Sequence, residues 1–335
     1  MDKAKYIIRA VEEIVSPVYL VGGSVRDVLL NREPKDYDFT TPLSPDEVEA
    51  RAKAAGRHVY AIGKKFGTIG FKVQDEEGHF EYVEVTTFRR ETYQEGNRKP
   101  EVEFVTELRD DLSRRDFTFN AVALDTNFEY IDPFGGRLEI LAKKIKAVGT
   151  AKDRFKEDPL RMLRAARFSA QLGFDVDPNL IGITRKMAYT ILTVSRERWV
   201  QEIDKLLLSD QPDRGLSFLF QSSLLRYMLP ELLETYDNYH LREKMLTELQ
   251  DAPKNTDVRW GILLKNLSHQ FFHNSDIMEP NNLVRGEREV SQEIAHGIAL
   301  RLKFSNARVK EILNVNENKN NGNKNETTEL QIPTL

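Results

Sequence analysis

The sequence predicts an α+β head followed by an all-α remainder. Up to about residue 140, β-like runs alternate with short helical ones; beyond it, apolar residues recur at helical spacing, as in Leu160 and Leu163 or Ile203, Leu206 and Leu207. From Asn314 the composition shifts again, with seven asparagines in the twelve residues 314–325, a stretch with almost nothing to bury that is expected to be disordered.

Taken in order, Met1-Asp2-Lys3-Ala4-Lys5 leads into an amphipathic segment without a signal-peptide core. Val18 to Val21 is expected to form a short buried strand, Gly22-Gly23 a turn free of Cβ atoms, and Ser24 to Leu30 a helix. Ser24 stands as the N-cap of that helix, with Asp27 three residues on in the manner of a capping box. The N–H groups and dipole at such a helix start favour an anion, commonly a phosphate. Asp36 and Asp38 follow in Lys35-Asp-Tyr-Asp-Phe39. A strand puts every second side chain on one face, so the pair aims two carboxylates at one point, and hard divalent cations take such ligands. Singly, Gly-Gly also reads as any tight turn and Asp-x-Asp as any solvated edge. Their order and spacing favour a nucleoside triphosphate held next to Mg²⁺.

Gly67 to Val73, Phe80 to Phe88, Glu101 to Val105 and Ala121 to Ile131 are the further β-like runs, the last ending in the turn Asp132-Pro133-Phe134-Gly135-Gly136. Glu84, on the second of these, either faces the metals as a third acid or faces water. Arg114-Arg115-Asp116-Phe117-Thr118-Phe119-Asn120-Ala121 gathers two guanidinium groups, a carboxylate and an amide. Arginine's planar fork suits phosphate, and a helix-end salt-bridge cluster is the competing reading. The helical part opens with Asp158-Pro159-Leu160-Arg161, after which Arg161, Arg164 and Arg167 form a slowly drifting row on one helix face. Asp158 beside Arg161 presents acceptors next to donors, the pattern that meets a Watson–Crick edge. Asp158 before Pro159 also reads as a plain N-cap, and the arginine row as a solvated face.

Composition bounds the rest. A chain of 335 residues, 40% hydrophobic and 30% charged, can bury a core, and no apolar run approaches the roughly 20 residues that span a bilayer. With no cysteine, disulfides and thiolate zinc sites are excluded, which fits a cytoplasmic protein. The net charge is −4, yet nine Lys/Arg against three Asp/Glu lie between Lys143 and Arg167, a local stripe of the kind phosphate contacts need.

Gly22-Gly23-x-x-Arg26-Asp27 with Asp36-x-Asp38, then Arg114-Arg115-Asp116-Phe117, Glu157-Asp158-x-x-Arg161 and Ser195-Arg196-Glu197-Arg198 together resemble the ordered motif set of class II tRNA nucleotidyltransferases. These are the bacterial-type CCA-adding enzymes and their poly(A) polymerase relatives, and the resemblance covers roughly residues 1–230. It implies a polymerase-beta-like nucleotidyltransferase head over 1–140, a helical neck over 141–210, and a helical body with a shortened RNA-binding tail over 211–313. It also implies two Mg²⁺ ions on Asp36 and Asp38, with Glu84 as a candidate third ligand. Gly22, Gly23, Arg26 and Arg115 would hold phosphates and Asp116 would sense the ribose. Asp158 and Arg161, with Arg164 and Arg167 nearby, would template cytosine and then adenine. Glu197-Arg198 would open a neck helix that supports the site. The expected activity is template-independent addition of C, C and A from CTP and ATP to the 3′ end of tRNA, with release of pyrophosphate. Arg89 to Val105, with Tyr93, Gly96, Arg98 and Pro100, resembles the loop that complete CCA-adding enzymes use to switch from CTP to ATP, and no His-Asp dipeptide marks an appended phosphohydrolase. The alternatives are a poly(A) polymerase, a CC-adding enzyme, or an RNA-binding protein with a dead transferase head.

Overall fold

The structure, a computed structural model, describes residues 2–92, 101–265 and 287–314. Its contacts divide the chain into two compact units, residues 1–161 with 174–183 and residues 162–173 with 184–335.

The first unit runs α1 (Asp2–Glu12), β1 (Tyr19–Val21), α2 (Gly23–Leu29), β2 (Tyr37–Thr41), α3 (Pro45–Ala54), β3 (Val59–Tyr60), β4 (Thr68–Gln74), β5 (Phe80–Thr87), β6 (Arg89–Thr92), β7 (Glu101–Phe104), α4 (Leu108–Ser113), β8 (Ala123–Leu124), β9 (Tyr130–Ile131), α5 (Gly136–Leu141), β10 (Lys144–Ile145) and α6 (Ala151–Glu157). Seven of these strands make one sheet in the order β3-β4-β5-β2-β1-β8-β9, with β2 and β5 parallel and the other neighbours antiparallel.

Strand period decides which side of this sheet is buried. Ile69, Phe71 and Val73 of β4, Val83 and Val85 of β5, and Tyr37 and Phe39 of β2 are buried in one core with Ile7, Ile8 and Val11 of α1 and Val48 and Ala52 of α3. Each such side chain contributes about 1.5–3 kcal/mol when fully withdrawn from water. Alternation then turns Asp38, Thr68, Gly70 and Glu84 to the opposite face. Helix α3 is held over the core by a capping box: the Ser44 hydroxyl accepts from Glu47 N at 3.3 Å and the Glu47 carboxylate accepts from Ser44 N at 2.8 Å.

One expected run comes out differently. Ala121 to Ile131 is not one strand but a hairpin of β8 and β9, because the Asp125 carboxylate accepts from Asn127 N and Glu129 N and folds the chain back. Strands β6 and β7 form their own two-stranded ribbon, and the expected switching-loop residues Tyr93, Gly96, Arg98 and Pro100 lie outside the described residues. So does the Asn-rich stretch from 315.

Helices α7 (Leu160–Leu172) and α8 (Pro178–Met187) each span the division between the units, with the short strand β11 (Asp175–Val176) between them pairing with β10. The second unit is helical throughout its described part: α9 (Arg196–Leu207), α10 (Pro212–Gln221), α11 (Leu224–Met228), α12 (Leu233–Asp237), α13 (Tyr239–Asp251), α14 (Thr256–Lys265), then Glu287–Arg301 and Asn306–Asn314. Helix α9 buries Trp199, Ile203, Leu206 and Leu207, and its last carbonyls are taken up by Arg259, which donates to Leu207 O and to Ser209 O. Asp204 on the same helix accepts from Trp260 Nε1 at 2.7 Å and from Arg308. The α+β head and the helical remainder are thus both present. Among the described residues no helix is long and apolar enough to cross a membrane.

Candidate active site

The structure brings the glycine turn and the aspartate pair together. Gly22 has φ +74°, a conformation L side chains rarely adopt, and a Cβ there would stand 2.9 Å from Arg115 Nη1 and 3.9 Å from Asp38 Oδ2. At Gly23 a Cβ would stand 3.4 Å from Arg26 Nη2. The missing side chains therefore let two guanidinium groups settle over the turn.

Ser24 is not the N-cap that its spacing to Asp27 suggests. Gly22 occupies that position, and α2 makes no side-chain cap bond. Instead the Ser24 hydroxyl donates to Asp36 O at 2.9 Å and accepts from Asp38 N at 3.1 Å. A hydroxyl has one proton and two lone pairs, so it can serve both flanks of the aspartate pair at once. The helix start is thereby tied to the strand that carries the carboxylates.

Asp36 precedes β2 and Asp38 lies within it, in register with Glu84 on β5. Neither aspartate carboxylate accepts a hydrogen bond from any described residue. Asp38 is open to solvent by surface area, but the protein around it still desolvates the carboxyl and pushes its pKa up. Arg115 opposes this shift, while Glu84 and Asp36 add to it by like-charge repulsion. Glu84 itself accepts from the Tyr82 hydroxyl at 3.3 Å. Among the described residues, no three acidic or histidine side chains converge into a metal cage. Two uncommitted carboxylates fit Mg²⁺ nonetheless, since that ion keeps waters and substrate phosphates and takes only one or two carboxylates from a protein.

Arg115 is positioned by Asp111, a wholly buried carboxylate that the sequence reading passed over. Its Oδ2 lies 3.4 Å from Arg115 Nη2, and its Oδ1 accepts from Arg114 Nε at 3.0 Å and Nη2 at 2.9 Å. Arg114 continues to Glu91 on β6 at 3.0 Å. Against the desolvation that would raise it, Arg114 and Arg115 hold the Asp111 carboxyl below the usual range. The salt-bridge reading thus describes Arg114, whereas Arg115 also reaches over Gly22. The signal for Asp111 was its place four residues before Arg115 on a helical stretch.

Asp116 is buried, and its Oδ1 accepts from Phe117 N at 2.8 Å and Asn120 Nδ2 at 3.1 Å. Asn120 Oδ1 in turn accepts from Arg26 Nη1 at 3.1 Å, and Arg26 also donates to Asp27 at 2.8 and 2.9 Å. Asn120, singled out only as an amide in a cluster, links the glycine turn to Asp116.

The base-reading candidates divide between the units. In the first, Asp158 Oδ1 accepts from Leu160 N at 3.1 Å, the capping arrangement. Arg161 is buried and donates to Glu157, to Arg154 O at 3.2 Å and to Arg114 O at 2.8 Å. In the second, Arg167 is buried with Nε 3.2 Å from Glu202, and the Phe168 ring lies 4.1 Å from Arg167 and 5.4 Å from Arg164. A plain solvated row describes neither Arg161 nor Arg167. Glu197, near the start of α9, pairs with Lys303 at 2.8 Å within the second unit.

Two family descriptions match the chain: "Poly A polymerase head domain" over residues 18–146 and "Probable RNA and SrmB- binding site of polymerase A" over residues 173–235. The CCA-adding enzyme of Lactococcus lactis subsp. cremoris (strain MG1363) is 37% identical over 270 residues, 80% of this chain and 64% of that protein. The CCA-adding enzyme of Geobacillus sp. (strain WCH70) is 40% identical over 263 residues, 78% of this chain and 62% of that protein.

The chain belongs to the class II tRNA nucleotidyltransferase family. It spans less than two thirds of the length of these curated relatives. Among solved structures, the Bacillus stearothermophilus CCA-adding enzyme in complex with CTP is 29% identical, with a TM-score of 0.63 over 94% of this chain and 78% of that one. A tRNA nucleotidyltransferase complexed with a primer tRNA and an incoming ATP analog shares the fold at a TM-score of 0.58 and 24% identity, over 88% of this chain and 93% of that one. In this nucleotidyltransferase chain, every candidate from Gly22 to Asp116 falls inside the matched head segment, whereas Asp158, Arg161, Arg164 and Arg167 fall between the two matched segments.

Proposed function

We infer that the chain is a CCA-adding tRNA nucleotidyltransferase, joining C, C and A from CTP and ATP to the 3′ end of tRNA without a nucleic-acid template and releasing pyrophosphate. The observation that carries this reading is the Asp36–Asp38 pair, its carboxylates without a hydrogen-bond partner among the described residues, beside the guanidinium of Arg115 packed on Gly22. Relatives that are CCA-adding enzymes, one of them solved with CTP, support the choice of substrates.

Asp36 and Asp38 would hold Mg²⁺, two ions in this reading, with Glu84 beside them on β5. Bound there, Mg²⁺ would neutralise phosphate charge and favour the deprotonated 3′ hydroxyl. Arg115 and Arg26 take the phosphates over the Cβ-free turn, and Asp111 fixes the fork of Arg115. Because Asn120 bridges Arg26 to Asp116, the phosphate-holding and ribose-sensing groups share one orientation. The 3′ oxygen then bonds to the α-phosphorus as the bond to pyrophosphate breaks. Asp158, Arg161, Arg164 and Arg167 select the base in this reading, with the helical part from residue 141 onward engaging RNA, and the setting is cytoplasmic.

The test is incorporation of labelled CTP and ATP on tRNA ending before CCA. Two cytidines and one adenosine are expected. Long adenylate ladders from ATP alone would make the chain a poly(A) polymerase, and two cytidines without adenosine a CC-adding enzyme. Asp158→Ala should lower discrimination among the four nucleotides more than triphosphate affinity; equal losses for all four, with selectivity kept, would leave Asp158 its capping role only.

A further inference from the structure

Sheet order gives the aspartate strand two unlike sides. On the β1 side of β2 lie the glycine turn and the guanidinium groups of Arg26 and Arg115. On the other side the face continues through β5 and β4 to β3, where a hollow of about 650 Å³ is lined by Tyr60, Phe66, Gly70, Tyr82 and Glu84. Register aligns these residues: Glu84 pairs with both Asp38 and Gly70, and Gly70 also pairs with Tyr60, so Tyr60 and Glu84 share the face of Asp38. The Tyr82 ring lies over Gly70: a Cβ there would stand 2.1 Å from the Tyr82 hydroxyl, so the ring would have to shift.

We propose that this hollow receives the unpaired terminal base of the RNA acceptor strand, stacked on Tyr60 and its aromatic neighbours. The terminal 3′ hydroxyl would then meet the Asp36–Asp38 pair from the side away from the triphosphate. The proposal rests on the nucleotidyltransferase reading above.

Three arguments converge. An in-line displacement brings the entering oxygen in opposite the leaving pyrophosphate, and with the triphosphate on the β1 side the β5 side is left for the acceptor. Unpaired bases are held by aromatic faces, and Tyr60, Phe66 and Tyr82 are 37%, 43% and 43% exposed. Cations for the strand's phosphates stand at the same place: Lys72 pairs in register with Tyr82, Lys65 lies 4.9 Å from the Phe66 ring, and neither is ion-paired among the described residues.

The experiment compares Tyr60→Ala, Phe66→Ala and Tyr60→Phe with the unaltered full chain, each checked for an unchanged melting transition. One readout is steady-state incorporation on tRNA ending before CCA; the other is equilibrium binding of a fluorescent CpC-ended single-stranded oligoribonucleotide, which needs no turnover. Tyr60→Ala and Phe66→Ala should raise KM for the acceptor and Kd for the oligonucleotide by about 5- to 150-fold, the range one lost base–aromatic stack spans. KM for CTP and ATP should move less than about twofold, and Tyr60→Phe, which keeps the ring, should stay near the parent. Unchanged acceptor KM and oligonucleotide Kd in both alanine variants would overturn the proposal. A rise in KM for CTP or ATP alone would do so too, by assigning the hollow to the incoming base. Should the unaltered chain incorporate nothing while oligonucleotide binding still depends on Tyr60, the activity reading falls and the RNA site stands.

Discussion

Gly22 stands at φ +74° with Arg115 Nη1 only 2.9 Å from where its Cβ would be, so any replacement meets two penalties. Backbone strain of that kind costs about 1–3 kcal/mol, and the guanidinium must also move. Gly22→Ala should therefore raise KM for CTP and ATP by tenfold or so and lower the melting temperature. Gly23→Ala has no positive φ to strain and meets Arg26 only at 3.4 Å, so it should be the milder change; equal effects of the two in steady-state kinetics would refute this account. Asp111 poses a different question, because its work is done by charge. Its folded pKa lies below the unfolded value of about 3.9, so the stability it contributes is present above that pH and is lost as pH falls through the lower, folded value. Asp111→Asn leaves Arg114 and Arg115 without that counter-charge and should cost about 3–5 kcal/mol near neutrality. In urea unfolding, the gap between parent and variant should shrink below about pH 4; a gap constant down to pH 3 would show that volume or shape, not charge, is what the site needs.

At the scale of elements, the join between α2 and β2 decides how well the carboxylates are placed. Among the described residues, Ser24 alone bridges it by side chain to both Asp36 O and Asp38 N. Ser24→Ala keeps the helix, since Ser24 is not its cap, but frees the strand entry; misplacement on the order of 1 Å costs about 100-fold in rate. We expect kcat to fall about 10- to 100-fold with circular dichroism unchanged, and an unaltered kcat would mean the strand register alone holds the pair. Ser24 also marks where sequence reading stops. Strands β4 and β5 were legible because alternation of Ile69, Phe71, Val83 and Val85 has a period of two, and the same period put Asp36 and Asp38 forward as a candidate pair. What Ser24 bonds to is a matter of tertiary placement twelve and fourteen residues away, and capping-box spacing alone pointed elsewhere. Asn120 reaches Arg26 across 94 residues, a pairing no local pattern encodes. The arginine row shows the same limit: its spacing was plain, but the partners Glu157 and Glu202 that bury Arg161 and Arg167 were not.

Over the whole molecule, a net charge of −4 sets an average repulsion against RNA, so the RNA binding of the proposed function would have to come from local field. Of the nine basic residues between Lys143 and Arg167, Arg154 and Arg161 pair with Glu157, Arg167 with Glu202 and Lys146 with Glu139. Lys143, Lys144, Lys152 and Lys156 are exposed and make no ion pair with any described residue. Only charges not already neutralised within the protein can release counterions from RNA, so these four should carry the salt dependence of this stretch. Replacing all four by alanine takes the net charge from −4 to −8 by removing four positive charges. Each lysine on a phosphate contributes roughly 0.7–0.9 to the slope of log K against log salt, so the variant's slope should flatten by up to about 3.6. tRNA binding measured between 50 and 200 mM KCl, on the order of the range where such slopes are read, decides the matter. A weaker affinity with an unchanged slope would place these lysines off the RNA and make their effect one of overall charge.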